Sequence, residues 1–249
     1  MTEFIEHKDF YDALDNFKKK HPDCKIETFS NDVRQIIGGF GIKEYPLPVD
    51  RSFPKYLVKV GQEKHMLPLL KQGIVYMNSL SYFKSLEHTE DGRADESEGA
   101  HSVVQTGGMI INGLEINVST PLTFFAPGYN KGYIYCTVAV FDDTKPEEFL
   151  NERMLDMGEV AIVIHEPEQF VRRCVDVLRA HCINLDWGNV RYYDKTEGSF
   201  LLDPWLKPKG FEYQKEFRLF FPMAENKAKV LQIGSIEDIA IACRIQKKQ

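Results

Sequence analysis

The sequence predicts an α+β chain built mostly from antiparallel strands with few core helices. Three observations carry that expectation. Short apolar runs of period two outnumber the helical ones, as in "IVYMNS" (74–79), "GYIYCTVAVF" (132–141) and "EVAIVIH" (159–165). Asn112-Gly113 sits inside "GGMIINGLEINV" (107–118) and supplies the two positive-φ residues of a tight hairpin turn. Only one long segment has a clean helical stripe, Phe170, Cys174, Val177 and Leu178, with Pro167 in the first turn where a proline is tolerated.

In chain order, the segment from His7 to His21 reads as a helix. Phe10, Leu14 and Phe17 recur on one face, and Lys18, Lys19 and Lys20 close the last turn, where positive charge suits the helix dipole. A second short helix through Asp32–Ile37 stops at Gly38-Gly39. "KEYPLPVDRSFP" then reads as an irregular, proline-rich crossing. Residues 1–52 are therefore expected to be a helical N-terminal extension, and residues 53–249 the body. In the body "KYLVKV" (55–60) is a strand and "QEKHMLPLLKQG" a helix ended by Gly73. The last strands expected are "NVRYYD", "YQKEFRLFF", "KAKVLQI" and "DIAIACRI".

Composition narrows the functional classes. With 249 residues, 43% hydrophobic and 27% charged, the chain reads as an ordinary globular protein able to bury a sizeable core. A net charge of -6 argues against a general nucleic-acid coat. Neither an apolar run long enough for a membrane span nor a signal-like apolar start is expected from "MTEFIEHKDF", and a cytoplasmic location follows. Cys24, Cys136, Cys174, Cys182 and Cys243 are scattered, without close pairing, and read as reduced, mostly buried thiols. The histidines form no metal-ligand cluster. Cys174, His181 and Cys182 read as core and helix-end residues, and His165 as a strand end, so no metal is expected.

The polar stretch "EHTEDGRADESEG" (87–99) holds Arg93 among Glu87, Glu90, Asp91, Asp95, Glu96 and Glu98. It reads either as a solvated loop or as a loop folded around its own guanidinium, and its spacing lacks the regularity of an EF-hand. Its Glu96-Ser97-Glu98 reads as a chance Glu-x-Glu.

The last feature is "KGFEYQKEFRLFF" (209–221). Gln214 and Glu216 stand two apart ahead of an alternating strand, which in a strand would place them on one face. Taken with a first strand carrying Lys59 and a second ending Tyr76-Met77-Asn78-Ser79 beside Tyr82 and Phe83, this order resembles the Arg-Ser-Glu type of the ADP-ribosyltransferase superfamily. "LLKQGIVYMNSLSYFK" and "LKPKGFEYQKEFRLFF" are also similar to bacterial proteins tied to phage defence and to toxins. The resemblance departs from the family pattern at Lys59, which stands for an arginine, and at "MNSLS", which stands for Ser-Thr-Ser. It implies a split β core, NAD as substrate, a nucleic-acid or protein acceptor, and a possible inhibitory antitoxin, with no membrane partner.

The chemistry fits those residue types. Cleavage of the nicotinamide–ribose bond passes through an oxocarbenium-like state that needs a carboxylate, the place of Glu216. Gln214 would orient the acceptor and Ser79 would hold Glu216 in its rotamer. Lys59 would meet the pyrophosphate, and Tyr82, Phe83 and Tyr213 would wall the nicotinamide ring. Tyr56 and Asn78, on the first two strands, complete the cofactor-binding candidates. Two other readings stay open: a non-catalytic binding module, in which Gln214 and Glu216 form a surface pair with Lys55 or Arg218, and a metal-independent nuclease using Glu216, Lys215 and Arg218.

Overall fold

The computed structural model of the chain describes residues 49–85, 95, 97–104, 109–111, 114–116, 120–125, 131–145, 149–196, 200–224 and 227–245. The helices expected at 7–21 and 32–37, Cys24, and most of the proposed N-terminal extension lie outside the described residues. Val49–Ser52, placed in that extension by the sequence, already join the body: Asp50 bridges Asn189, and Arg51 donates to Asp186 and to the Trp187 carbonyl. Among the described residues no helix is long and apolar enough to cross a membrane.

The architecture is mixed α/β, with mostly antiparallel open sheets and few helices. In order, the chain forms β1 (Tyr56–Gly61), α1 (Glu63–Gln72), β2 (Ile74–Ser79), α2 (Leu80–Ser85), β3 (Ser102–Val104), β4 (Met109–Ile111), β5 (Leu114–Ile116), β6 (Leu122–Phe124), β7 (Gly132–Val140) and β8 (Val160–Ile164). There follow α3 (Pro167–Arg179), β9 (Asp186–Asn189), β10 (Arg191–Tyr193), β11 (Phe200–Leu201), β12 (Leu206–Pro208), β13 (Glu216–Pro222), β14 (Lys229–Gln232) and β15 (Ala240–Arg244). Short 3-10 helices cover Glu152–Met157 and Lys209–Gln214.

The main sheet has eight strands in the order β14-β2-β7-β1-β8-β15, with β13 on β7 and β9 beyond it. β13 lies along β7 from Gly132 to Val138, so β1 and β2 share the opposite edge of β7. β2 pairs there at Tyr133 and Ile134, and β1 pairs at Val138–Val140. Between them the Lys59 ammonium donates to the Cys136 carbonyl at 2.7 Å.

Strand alternation gives this sheet two faces. Leu57, Val75, Met77, Tyr133, Tyr135, Phe217, Leu219 and Phe221 line one face, under Met66 and Leu69 of α1 and Phe170, Val171, Cys174 and Leu178 of α3. Val58, Val60, Val138, Val140 and Ala161 line the other with Met154, beside a cluster of Leu80, Ile134, Trp205 and Phe220. The α3 stripe is the one expected, with Val171 added and Val177 only partly buried. Gly73 ends α1 at φ +65, and a Cβ there would meet the Gly234 carbonyl oxygen at 1.9 Å, so both its conformation and its neighbour demand glycine.

A smaller compact unit draws on segments 99–130 and 193–203. In it β3 pairs with β6 and β11, and Leu202 donates to the His101 carbonyl. β4 and β5 form the hairpin expected around residues 112–113, with Ile111 opposite Leu114.

Candidate functional site

The carboxylate singled out in the sequence lies at the start of β13. The strand does not begin at Tyr213, as the alternation predicts. Residues Lys209–Gln214 wind into a 3-10 helix, and Lys215 takes the left-handed conformation at φ 42. Its N–H returns to the Glu212 carbonyl and its own carbonyl accepts from Ala139, which turns the chain into β13 at Glu216. Gln214 and Glu216 are therefore neighbours because of a turn, not because of strand parity.

Both are buried, at 3% and 8% exposure, so they are not a surface pair. Lys207, on β12 and 4% exposed, lies between them. Its ammonium donates to Gln214 Oε1 and to Glu216 Oε1, each at 2.8 Å, and sits 4.7 Å from the centre of the Phe211 ring. Arg218, 1% exposed, projects from the same face of β13. Its Nε donates to Glu216 Oε2 at 2.6 Å, and its Nη1 and Nη2 donate to Glu98 Oε1 and Oε2 at 2.9 and 2.8 Å. Nη1 also reaches the Pro204 carbonyl at 2.6 Å. The Glu216 N–H donates to the Tyr192 hydroxyl at 2.9 Å, and the Gln214 amide nitrogen lies 3.3 Å from the Tyr213 hydroxyl.

The acidic stretch thus meets the late strand. Asp95, Ser97 and Glu98 are buried, and Asp95 Oδ1 accepts from the Ser97 N–H and hydroxyl. The solvated-loop expectation fails at these positions because a carboxylate at 98 finds a bidentate guanidinium, which offsets part of the cost of leaving water. Glu98 is a cluster member, not a chance acid.

The two carboxylates differ. Burial pushes the Glu216 carboxyl up, but Arg218 and then Lys207 outweigh it and hold it well below the usual carboxylate range. At Glu98 burial outweighs the pull of Arg218, and the carboxyl stands above its ordinary value. Burial works most strongly against the Lys207 ammonium, and Glu216, Glu98 and Asp95 together more than restore it. Cys136, opposite Arg218 on β7, is pushed up to about 12 by burial and then by the Glu216 charge.

The other sequence candidates are dispersed. Ser79 does not reach Glu216. It pairs with Tyr133, as Phe221 does on the other edge of β7, and Phe221 is five residues on from Glu216. An odd offset puts Ser79 and Glu216 on opposite faces of the sheet. The Ser79 hydroxyl instead accepts from the Tyr82 N–H at 3.2 Å and caps α2, with Ser81 Oγ at 3.0 Å. Lys59 also belongs to the other face, with its ammonium over the Tyr135 ring at 4.7 Å, away from Glu216. Asn78 shares the Glu216 face but pairs with Ile134, toward the far end of β7. Phe83 packs with Leu80, Ile134, Trp205 and Phe220, and meets the exposed Tyr82 edge-on at 5.5 Å. Tyr56 packs against the Val58–Val140 cluster. Of the cofactor candidates only Tyr213 adjoins Glu216 and Gln214, with the Arg153 guanidinium 5.0 Å from its ring. Lys55, offered as a partner of the pair, binds Asp142 instead.

Sequence reasoning missed Lys207 and Tyr192, and weighed Glu98 only as a bystander. A signal for Lys207 and Arg218 exists: each is a lone cation inside an apolar run, "WLKP" and "FRLFF". Cys174 lies in the core, as the packing reading expects, but Cys182 falls past the end of α3 and is exposed, and Cys136 and Cys243 are only partly buried.

A second feature lies against the other face of the main sheet. Phe53, Trp187 and one side of α3 enclose a cleft of about 400 Å³, a size suited to a small molecule. Comparison with protein-family models, with curated proteins and with solved structures finds no match for the chain.

Proposed function

We propose that the chain is a non-catalytic binding module: the charged cluster fastens distant segments to the sheet, and ligand recognition belongs to the cleft beside α3. The observation that carries this reading is the pairing of both buried acids with buried cations. Oε1 and Oε2 of Glu98 and of Glu216 each accept from Lys207 or Arg218. Every oxygen of the two carboxylates already faces a cation, and Glu216, matched by two of them, does little for a developing positive charge. The separation of Ser79 from Glu216 points the same way. The test is incubation with NAD labelled in its adenylate half, alone and with cell extract. The expected result is intact NAD and no labelled macromolecule. NAD consumption that vanishes in Glu216→Gln would overturn the reading.

That outcome would favour a second reading, an NAD-dependent ADP-ribosyltransferase with an ADP-ribosyltransferase-like fold and a nucleic-acid or protein acceptor. One observation supports it: a single ammonium holds Gln214 and Glu216 side by side, as an acceptor-orienting amide and a charge-stabilising acid would need to be. Lys207 and Arg218 would then fill the holding role expected of Ser79.

A further inference from the structure

The cleft beside α3 is built from two kinds of surface. Its floor is apolar: Phe53 and Trp187 stack at 6.1 Å between ring centres with 21° between planes, and Val175, Ile183 and Leu185 continue it. Its rim is charged but balanced. Arg172 pairs with Glu168 at 3.3 Å, and Arg179 with Asp176 at 3.8 Å. These pairs are mostly exposed, so they hold one another weakly and leave no net charge to select an ion. Among the described residues, the lining also includes two uncharged polar groups, the amide of Asn184 and the indole N–H of Trp187, which is buried without a hydrogen-bond partner.

An apolar aromatic floor favours a flat ring, because stacking adds to the burial of apolar area. A balanced rim favours a ring without net charge. An amide, with a donor and an acceptor side by side, matches a ring edge that alternates the same two functions. We propose that this cleft binds an uncharged heteroaromatic ring of the nucleobase type. The inference rests on the binding-module reading and names its ligand class. Aromatic rings take up bases of any sequence in this way, since each base presents a π face.

The test is saturation-transfer NMR on the full chain with adenosine as the probe, and indole as a flat apolar ring lacking the alternating edge. Trp187 fluorescence excited at the red edge gives an independent readout. Adenosine is expected to bind saturably below about 10 mM, a weak affinity fitting a small ligand on an open cleft. Val175→Phe, which fills the floor, should abolish the signal. Asn184→Ala, at an exposed position that the fold tolerates, should weaken binding about tenfold, the loss of one or two hydrogen bonds. Adenosine binding unchanged in both variants would overturn the assignment. Saturable indole binding with no adenosine signal would overturn the base-type ligand while leaving the binding cleft standing. No Val175-dependent signal from either probe would overturn both the ligand class and the binding-module reading.

Discussion

Arg218 and Glu98 stand 120 residues apart in the chain and meet through two parallel hydrogen bonds, at 2.9 and 2.8 Å, with both side chains out of water. The same guanidinium turns its Nε to Glu216, so one side chain joins an early acidic segment to a late strand. Breaking such a buried pair on one side strands the other charge, which costs far more than the pair contributes relative to an apolar substitute.

Arg218→Met is therefore expected to cost about 3–5 kcal/mol of unfolding free energy in a urea titration. A double-mutant cycle of Arg218→Met with Glu98→Gln should return a coupling of at least about 1 kcal/mol. Additive effects would mean that the two side chains do not hold each other.

Glu216→Gln separates a structural acid from the partly solvated one that the strand reading expects. Read as the start of an open strand, the substitution would leave stability nearly unchanged. Buried between Lys207 and Arg218, it should lower stability by about 3 kcal/mol, because it leaves both cations undercompensated. Ser79→Ala should cost only about 1 kcal/mol, the loss of a helix cap, and leave the cluster as it is. Equal losses for the two substitutions would contradict the separation of their faces.

The pH dependence of the two acids should run in opposite directions. Glu216, depressed in the folded state, contributes stability that is present above its unfolded value of 4.5 and is lost only as pH falls through the lower folded value. Glu98, raised, contributes stability that is present below 4.5 and is lost as pH rises through its folded value. Carboxyl carbon shifts in a ¹³C titration should show Glu98 titrating above 4.5 and Glu216 still ionised there. The reverse order would refute the assignment of Lys207 and Arg218 to Glu216.

Gly73→Ala tests the closure of α1. The left-handed backbone and the Gly234 carbonyl leave no room for a methyl group. A loss of more than about 1 kcal/mol is expected, beyond the usual gain from removing a glycine. A neutral or stabilising result would show that the helix end can relax away from residue 234.

Much of the secondary structure was legible from the chain alone. β1, β2, β7, β8, α1 and α3 follow from apolar period, and the hairpin of β4 and β5 from Asn112-Gly113, because those preferences are local: each is set by residues within a turn or a strand length. The acceptor-rich pairing of Gln214 and Glu216 ahead of an apolar run marked them out, but not their burial, since a strand entrance at a cleft is expected to be partly solvated.

What only the tertiary structure decided is which of these residues meet. Ser79 and Glu216 looked like partners because each ends or begins a strand, but their faces depend on two registers across β7, and one residue of offset reverses the answer. Glu98 looked solvated because its segment is acidic, until Arg218 arrived from the far end of the chain to neutralise it. Lys207 drew no notice beside Pro208, and its place between Gln214 and Glu216 depends on Lys215 turning left-handed. Periodicity reports whether a side chain faces a core. The charge that faces it across that core comes from strand order and register, which no local stretch of sequence contains.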